Sequence, residues 1–274
     1  MDPEPNAITS TTTTSGITTI FLNRPHRRNA VNPETAKKLY ERILEYENDA
    51  SQKVCILAGL NGTFCAGADL HEVAGMEGST KAPENLQPVS NGNLGPMGPS
   101  RLQVKKPVIS AVSGYAVAGG LELSLIGDIR VAEDDTVFGV FCRRWGVPLI
   151  DGGTVRLQAI VGLGRALDMI LTGRPVNAQE ALTMGLVNRV VPKGKALEEA
   201  TAIANQLLSF PQVCMNVDRQ SCYYSAYNAT SFEDAMREEF KRGVGVITSE
   251  SIKGATRFKE GHGRHGNYGD STKL

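Results

Sequence analysis

Glu122 stands where a carboxylate could do acid–base work. It lies in Gly114-Tyr115-Ala116-Val117-Ala118-Gly119-Gly120-Leu121-Glu122-Leu123, where a glycine pair opens an apolar helical pattern. The first N–H groups of a helix have no partner within it and favour negative charge. A glutamate in that first turn either sits in water and stabilises the dipole or is carried inward by its neighbours. Leu121, Leu123 and Leu125 point to partial burial, which raises a carboxyl pKa toward working pH. Two more stretches carry chemical signals. Phe64-Cys65-Ala66-Gly67-Ala68-Asp69-Leu70 is built of small residues that let a ligand approach the backbone, or is an ordinary strand–helix turn. Phe138-Gly139, then Gly146 through Thr154, brings Asp151 to a helix start, where an aspartate serves as a simple N-cap or as a second acid.

The elements that must position these groups follow from the pattern. Ile17–Leu22, Val54–Gly59 and Val108–Val112 read as strands, Val54–Gly59 buried by composition. Arg130–Ala132 and Thr136–Phe138 read as short strands. Asn32-Pro33-Glu34 opens a helix with Asn32 as N-cap, Pro33 at the first helical position and Glu34 in the first turn; Ala36, Leu39, Tyr40, Ile43 and Leu44 then recur at helical spacing. Residues 1–15 are polar and threonine-rich and are expected to fray. Residues 77–100, rich in Gly, Pro, Asn and Ser, form one long irregular segment, either a mobile substrate loop or a disordered insertion. Between Pro175 and Pro192 a helix precedes a strand, and from about Ala196 the chain is almost all helix. The order is α/β first, helical last.

Composition narrows the function classes. Of 274 residues 41% are hydrophobic and 21% charged, with Lys+Arg (29) equal to Asp+Glu (29). Such a balance does not advertise nucleic-acid or membrane binding. Cys55, Cys65, Cys142, Cys214 and Cys222 show no CxxC or Cys/His metal spacing, and a reducing compartment is expected. No apolar run is long enough for a transmembrane helix. The first 20 residues hold no Lys or Arg, which opposes a secretory or mitochondrial leader. The tail Thr272-Lys273-Leu274 is one residue from a peroxisomal address, so a cytoplasmic or peroxisomal location is expected.

Taken together the motifs resemble the crotonase superfamily, whose best-known members are enoyl-CoA hydratases. LNRPHRRNAVN (22–32), GTFCAGADL (62–70), KPVISAVSGYAVAGGLELSLIGDIRVA (106–132), GGTVRL (152–157) and GLGRALDMILTG (162–173) occur in family order, covering about Gly16 to Gly266. The resemblance implies an α/β spiral of repeated ββα units with a C-terminal helical trimerisation region. Residues 1–205 would be the core holding the acyl-CoA site and 206–274 the oligomerisation region, in a homotrimer or dimer of trimers. It implies an oxyanion hole for the thioester oxygen formed by the amides of Ala66 and Gly119. It implies a CoA-binding strip over Arg28, Ala30, Ala66, Ala68, Asp69 and Leu70. Arg27 and Arg28 would meet CoA phosphates, or are plain surface arginines. No metal or cofactor is implied, since coenzyme A is part of the substrate; neither nucleic acid nor membrane is expected as a partner.

The chain departs from the hydratase pattern at one place. The first of the family's two glutamates falls on Glu122, but the second falls, by ungapped counting from Phe138-Gly139, on Cys142. Other members place an aspartate before the last glycine-rich helix start, and Asp151 occupies that place. The expected reaction is hydration of a 2-enoyl-CoA by a lyase of fatty-acid metabolism, with Glu122 as principal acid–base and Asp151 assisting. Isomerisation of an enoyl- or dienoyl-CoA, or hydrolysis of an acyl-CoA, through Glu122 and Asp151 is the alternative. A non-catalytic CoA- or RNA-binding paralogue is the alternative of another class. Cys142 is expected to shape the pocket, since no histidine near it in sequence would activate it. Arg143, Arg144 and Trp145 line the acyl pocket or face a neighbouring subunit. The Phe258-Lys259-Glu260-Gly261 run predicts an early stop to the last helix.

Overall fold

A computed structural model describes residues 4–75 and 86–263. Its first strand comes from the threonine-rich stretch that composition marks as frayed. β1 (Ile8–Thr12) pairs antiparallel with β2 (Ile17–Leu22), Ile8 opposite Leu22 and Thr12 opposite Thr18. Threonine is β-branched and suits a half-exposed pleated edge, and the hydroxyls of Thr12 and Thr18 meet at 3.1 Å. Pairing thus overrides polarity. α1 (Pro33–Asn48) starts as the sequence predicts, the Asn32 side chain accepting from the Thr35 amide at 2.8 Å.

The unbroken apolar runs become the innermost strands. β3 (Val54–Gly59) lies parallel to β2, and after α2 (Leu70–Ala74) comes β4 (Val108–Val112), parallel to β3. Every residue of β4 is buried, as expected for a parallel strand covered on both faces. Gly114, at φ +54°, then turns the chain into β5 (Tyr115–Val117) and α3 (Gly119–Ser124). The same step repeats with β6 (Ile129–Glu133), β7 (Val137–Gly139) and α4 (Gly153–Val161). One strand of each pair joins a six-stranded sheet ordered β1-β2-β3-β4-β6-β9, the other a three-stranded sheet ordered β5-β7-β8. The remaining elements are α5 (Leu163–Thr172), β8 (Val176–Asn177), α6 (Ala178–Thr183), β9 (Arg189–Val191) and α7 (Ala196–Leu208). This is the ββα repeat that the resemblance implies.

The chain divides into two compact units, Met1–Ala204 and Asn205–Leu274. The second holds α8 (Gln212–Tyr227), α9 (Phe232–Val246), a π-helical turn at Ile247–Ser251 and α10 (Ile252–Lys259). Tyr224 of α8 donates to Asp234 of α9 at 3.1 Å. α10 ends at Lys259, before Gly261 at φ +102°, as the glycines predict. Among the described residues no helix is long and apolar enough to cross a membrane. Thr272-Lys273-Leu274 and residues 77–85 of the irregular segment lie outside the described residues.

Candidate active site

The small-residue loop and the glycine-opened helix are brought together by backbone bonds. The Cys65 amide donates to Tyr115 O at 2.9 Å, and the Val117 amide donates to Cys65 O at 3.1 Å. Ala118 then takes φ +53°, ψ −127°, held by its own amide on Gly139 O at 2.8 Å. A non-glycine residue there costs about 1–3 kcal/mol, a strain typical of functional turns. The turn leaves Gly119 as the first residue of α3, its N–H with no intrahelical acceptor. A methyl built on Gly67 would stand 3.0 Å from Gly119 N, and one on Gly120 would stand 2.1 Å from Cys65 O. The two loops therefore touch only because both positions are glycine. Gly120→Ala should push them apart, costing about 1–3 kcal/mol by overpacking. If the two amides work as a pair it should also lower kcat; urea unfolding and turnover of the same variant check both.

The Ala66 amide, which the resemblance implies as the other oxyanion donor, is already bonded. The Ala66 amide donates to Arg28 O at 3.1 Å, at the long end for an N–H···O bond. The cause is local: Arg28 and Asn29 both adopt positive φ, 51° and 57°, which folds the 24–31 segment back over the loop. Beneath it sits a pairing that sequence reading missed. Arg24, only 3% exposed, donates to Asp69 Oδ2 at 3.0 Å, to Glu4 and to the Ala30 carbonyl. Asp69 lines the cavity but spends its carboxylate on Arg24 and on the His71 amide at 3.2 Å. It braces the loop rather than offering a free charge to CoA. Arg27 and Arg28 are exposed, and Ala30 is buried.

A cavity of about 570 Å³ joins these parts, lined by Ala66, Ala68, Leu70, Gly119, Glu122 and Asp151 among others. Leu86 and Met97 bring the described part of the irregular segment to its wall. Glu122 is 2% exposed, so burial rather than a solvated first turn is what the structure shows. Its Oε1 accepts from the amides of Asp151 at 3.0 Å and Gly153 at 2.8 Å. Burial, and next the Asp151 charge, push its pKa up to about 7 despite those two bonds. Asp151 does not cap α4; Gly152 is the N-cap and makes no side-chain bond. Instead Asp151 Oδ1 accepts from the Met97 amide at 2.9 Å and from the Ser100 hydroxyl. Burial raises the Asp151 pKa too, opposed by those bonds.

Cys142 faces the same cavity, nearly buried, its thiol pKa raised by burial and by Glu122. A thiol so held is a poor nucleophile. Of the three residues after it only Trp145 lines the cavity; Arg144 lies over the Phe141 ring and Arg143 donates to Ile170 O. Among the described residues no histidine lines the cavity. Among the described residues no cluster of His, Cys, Asp or Glu could hold a metal.

A buried carboxylic acid poised near neutrality, beside a helix-start amide with no hydrogen-bond acceptor among the described residues, is suited to moving protons next to a carbonyl whose oxygen gains charge. A family model described as enoyl-CoA hydratase/isomerase matches residues 12–263, and the chain belongs to that family within the crotonase superfamily. It is 34% identical over 250 residues, 87% of this chain and 88% of the relative, to enoyl-CoA hydratase EchA19 of Mycobacterium tuberculosis. It is 36% identical over 207 residues, 75% of this chain and 77% of the relative, to the short-chain-enoyl-CoA hydratase of Clostridium acetobutylicum. Among solved structures, an enoyl-CoA hydratase from Mycobacterium tuberculosis H37Rv superposes with TM-score 0.83 at 32% identity, covering 93% of this chain and 96% of that one.

Proposed function

We propose that the protein hydrates a 2-enoyl-CoA to the 3-hydroxyacyl-CoA, with Glu122 as its acid–base. The observation that carries this reading is the Glu122 carboxyl, buried at the cavity wall with a pKa of about 7 and Oε1 fixed by two amides. Ionised Glu122 takes a proton from water as the water oxygen bonds Cβ. The double-bond electrons pass onto the thioester as an enolate. The acid so formed gives its proton to Cα, so one water is added and no net proton moves. Cys142 supplies no second carboxylate, and Glu122 carries both transfers on one face.

The charge develops on the thioester oxygen. Gly119 N–H, without an acceptor among the described residues, is its donor, and Ala66 N–H joins by sharing or releasing its bond to Arg28 O. A donor of this kind is worth about 2.7–4 kcal/mol in the transition state. The reaction needs no cofactor beyond the CoA carried by the substrate, whose phosphates Arg27 and Arg28 would meet. Exposed Phe232, Met236, Phe240 and Val244 repeat every fourth residue along α9. That apolar stripe supports self-association as a homotrimer or dimer of trimers.

One observation favours a second reading, isomerisation or hydrolysis of another acyl-CoA: Asp151 lines the same cavity as Glu122. Crotonyl-CoA hydration that survives Asp151→Asn but not Glu122→Gln supports hydration. Loss with both, and turnover only of dienoyl- or 3-hydroxyacyl-CoA, supports the second reading. Tight acyl-CoA binding without Glu122-dependent turnover of any thioester would contradict both. Because the base must be ionised, kcat/KM for hydration should fall about tenfold per unit below pH 7 and level off above it, the pKa of Glu122 being about 7.

A further inference from the structure

Pro96 and Met97 of the 95–101 segment line the cavity beside Gly119, and Asp151 holds that segment. The Asp151 amide donates to Glu122 Oε1 at 3.0 Å, while its carboxylate accepts from the Met97 amide at 2.9 Å and from the Ser100 hydroxyl. A single residue thus ties the acid–base to the wall. The tie is reinforced. Arg156 donates to Ser100 O at 2.6 Å and to Leu102 O at 3.0 Å, and Gly95 and Gly98 exchange two amide bonds of 2.9 Å. Ser100 reaches Asp151 because residue 95 is glycine; a methyl there would stand 2.2 Å from Ser100 Oγ. What the wall presents is Met97, fully buried, whose Sδ would be 2.7 Å from a methyl on Gly119. Met97 therefore packs against Gly119 at the start of α3, beside the place where a thioester carbonyl and its Cα would lie.

We propose that Asp151 is a positioning residue whose carboxylate pins Met97 against Gly119, so that the site rejects acyl groups substituted at Cα. This rests on the proposed hydration. Asp151 Oδ1 takes both wall bonds, the Met97 amide and the Ser100 hydroxyl. Asparagine keeps an oxygen that can accept both wall bonds; alanine does not.

The test compares an unsubstituted 2-enoyl-CoA with its 2-methyl analogue. Wild type should favour the unsubstituted thioester by about 10- to 200-fold in kcat/KM, the range for one methyl in a fitted pocket. Ser100→Ala and Asp151→Ala should shrink that preference about tenfold or more. Asp151→Asn should keep the preference and lose less than about tenfold in kcat/KM. Its acid limb should move to lower pH, because the lost negative charge eases ionisation of Glu122. Equal use of the two thioesters by wild type overturns the proposal. So does Asp151→Asn as inactive as Glu122→Gln with Ser100→Ala unchanged in preference. If wild type hydrates neither thioester, the reading of the reaction fails, and hydrogen exchange decides the tie by itself. A Met97 amide exchanging more than tenfold faster in Asp151→Ala, or in Ser100→Ala should the first not fold, supports it. Unchanged exchange overturns it.

Discussion

Glu122→Gln should lower kcat for hydration of a short 2-enoyl-CoA by about 10³-fold, within the 10²–10⁴ that a positioned acid–base contributes, and leave KM nearly unchanged. Glutamine can still accept from the Asp151 and Gly153 amides, so the loss isolates proton transfer. The same change should stabilise the protein at neutral and higher pH. The folded pKa of Glu122, about 7, lies above its ordinary value. The native state thus holds a proton that the unfolded chain gives up first, and stability falls as pH rises from about 4.5 to about 7. Glutamine cannot ionise. The variant should match wild type near pH 4 and exceed it above pH 8 by about 3–4 kcal/mol, from about 1.4 kcal/mol per pKa unit. Urea unfolding at both pH values measures the gap; an equal offset at both would rule out an ionising Glu122 as its source.

Arg24→Met should be the costliest change away from the acid–base. It removes the close partner of Asp69, 4% exposed, leaving only Arg27 Nε at 3.9 Å, and frees the Ala30 carbonyl from its donor. Breaking a buried pair by removing one partner costs about 3–5 kcal/mol. The shift should appear as a lower urea midpoint with an unchanged slope. Acyl-CoA affinity should fall with it, since the pair braces the 66–70 loop at the cavity wall. Arg24→Met combined with Asp69→Leu should recover much of the stability, because no lone charge remains. If the double variant is as unstable as the single one, Arg24 acts through packing and not through charge.

Much of this was legible in the chain. The apolar runs gave the inner strands, Asn32-Pro33 the start of α1, and Gly119-Gly120 the helix that presents Glu122. Burial of Glu122 followed from Leu121, Leu123 and Leu125. Placing Cys142 in the cavity needed only counting. What stayed hidden depended on partners far along the chain or on backbone twist. β1 was lost because threonine reads as polar, while its β-branched shape counts once β2 lies alongside. Asp151 looks like an N-cap in sequence because its partners, Met97 and Ser100, lie in a segment of glycine and proline with no periodicity. Arg24 sits among surface-like Pro25-His26-Arg27-Arg28, and only folding shows which arginine turns inward. The bond from the Ala66 amide to Arg28 O arises from positive φ at two non-glycine residues, which composition does not announce.

A crystal structure with a 3-hydroxyacyl-CoA bound tests the convergence of residues 66, 119 and 122 most directly. The thioester oxygen should lie within about 3.2 Å of both Gly119 N and Ala66 N, with the contact from Ala66 N to Arg28 O lengthened. Glu122 should face Cα and Cβ through Oε2. A thioester oxygen held by neither amide, or a Glu122 carboxylate turned away from both carbons, would contradict the proposed chemistry.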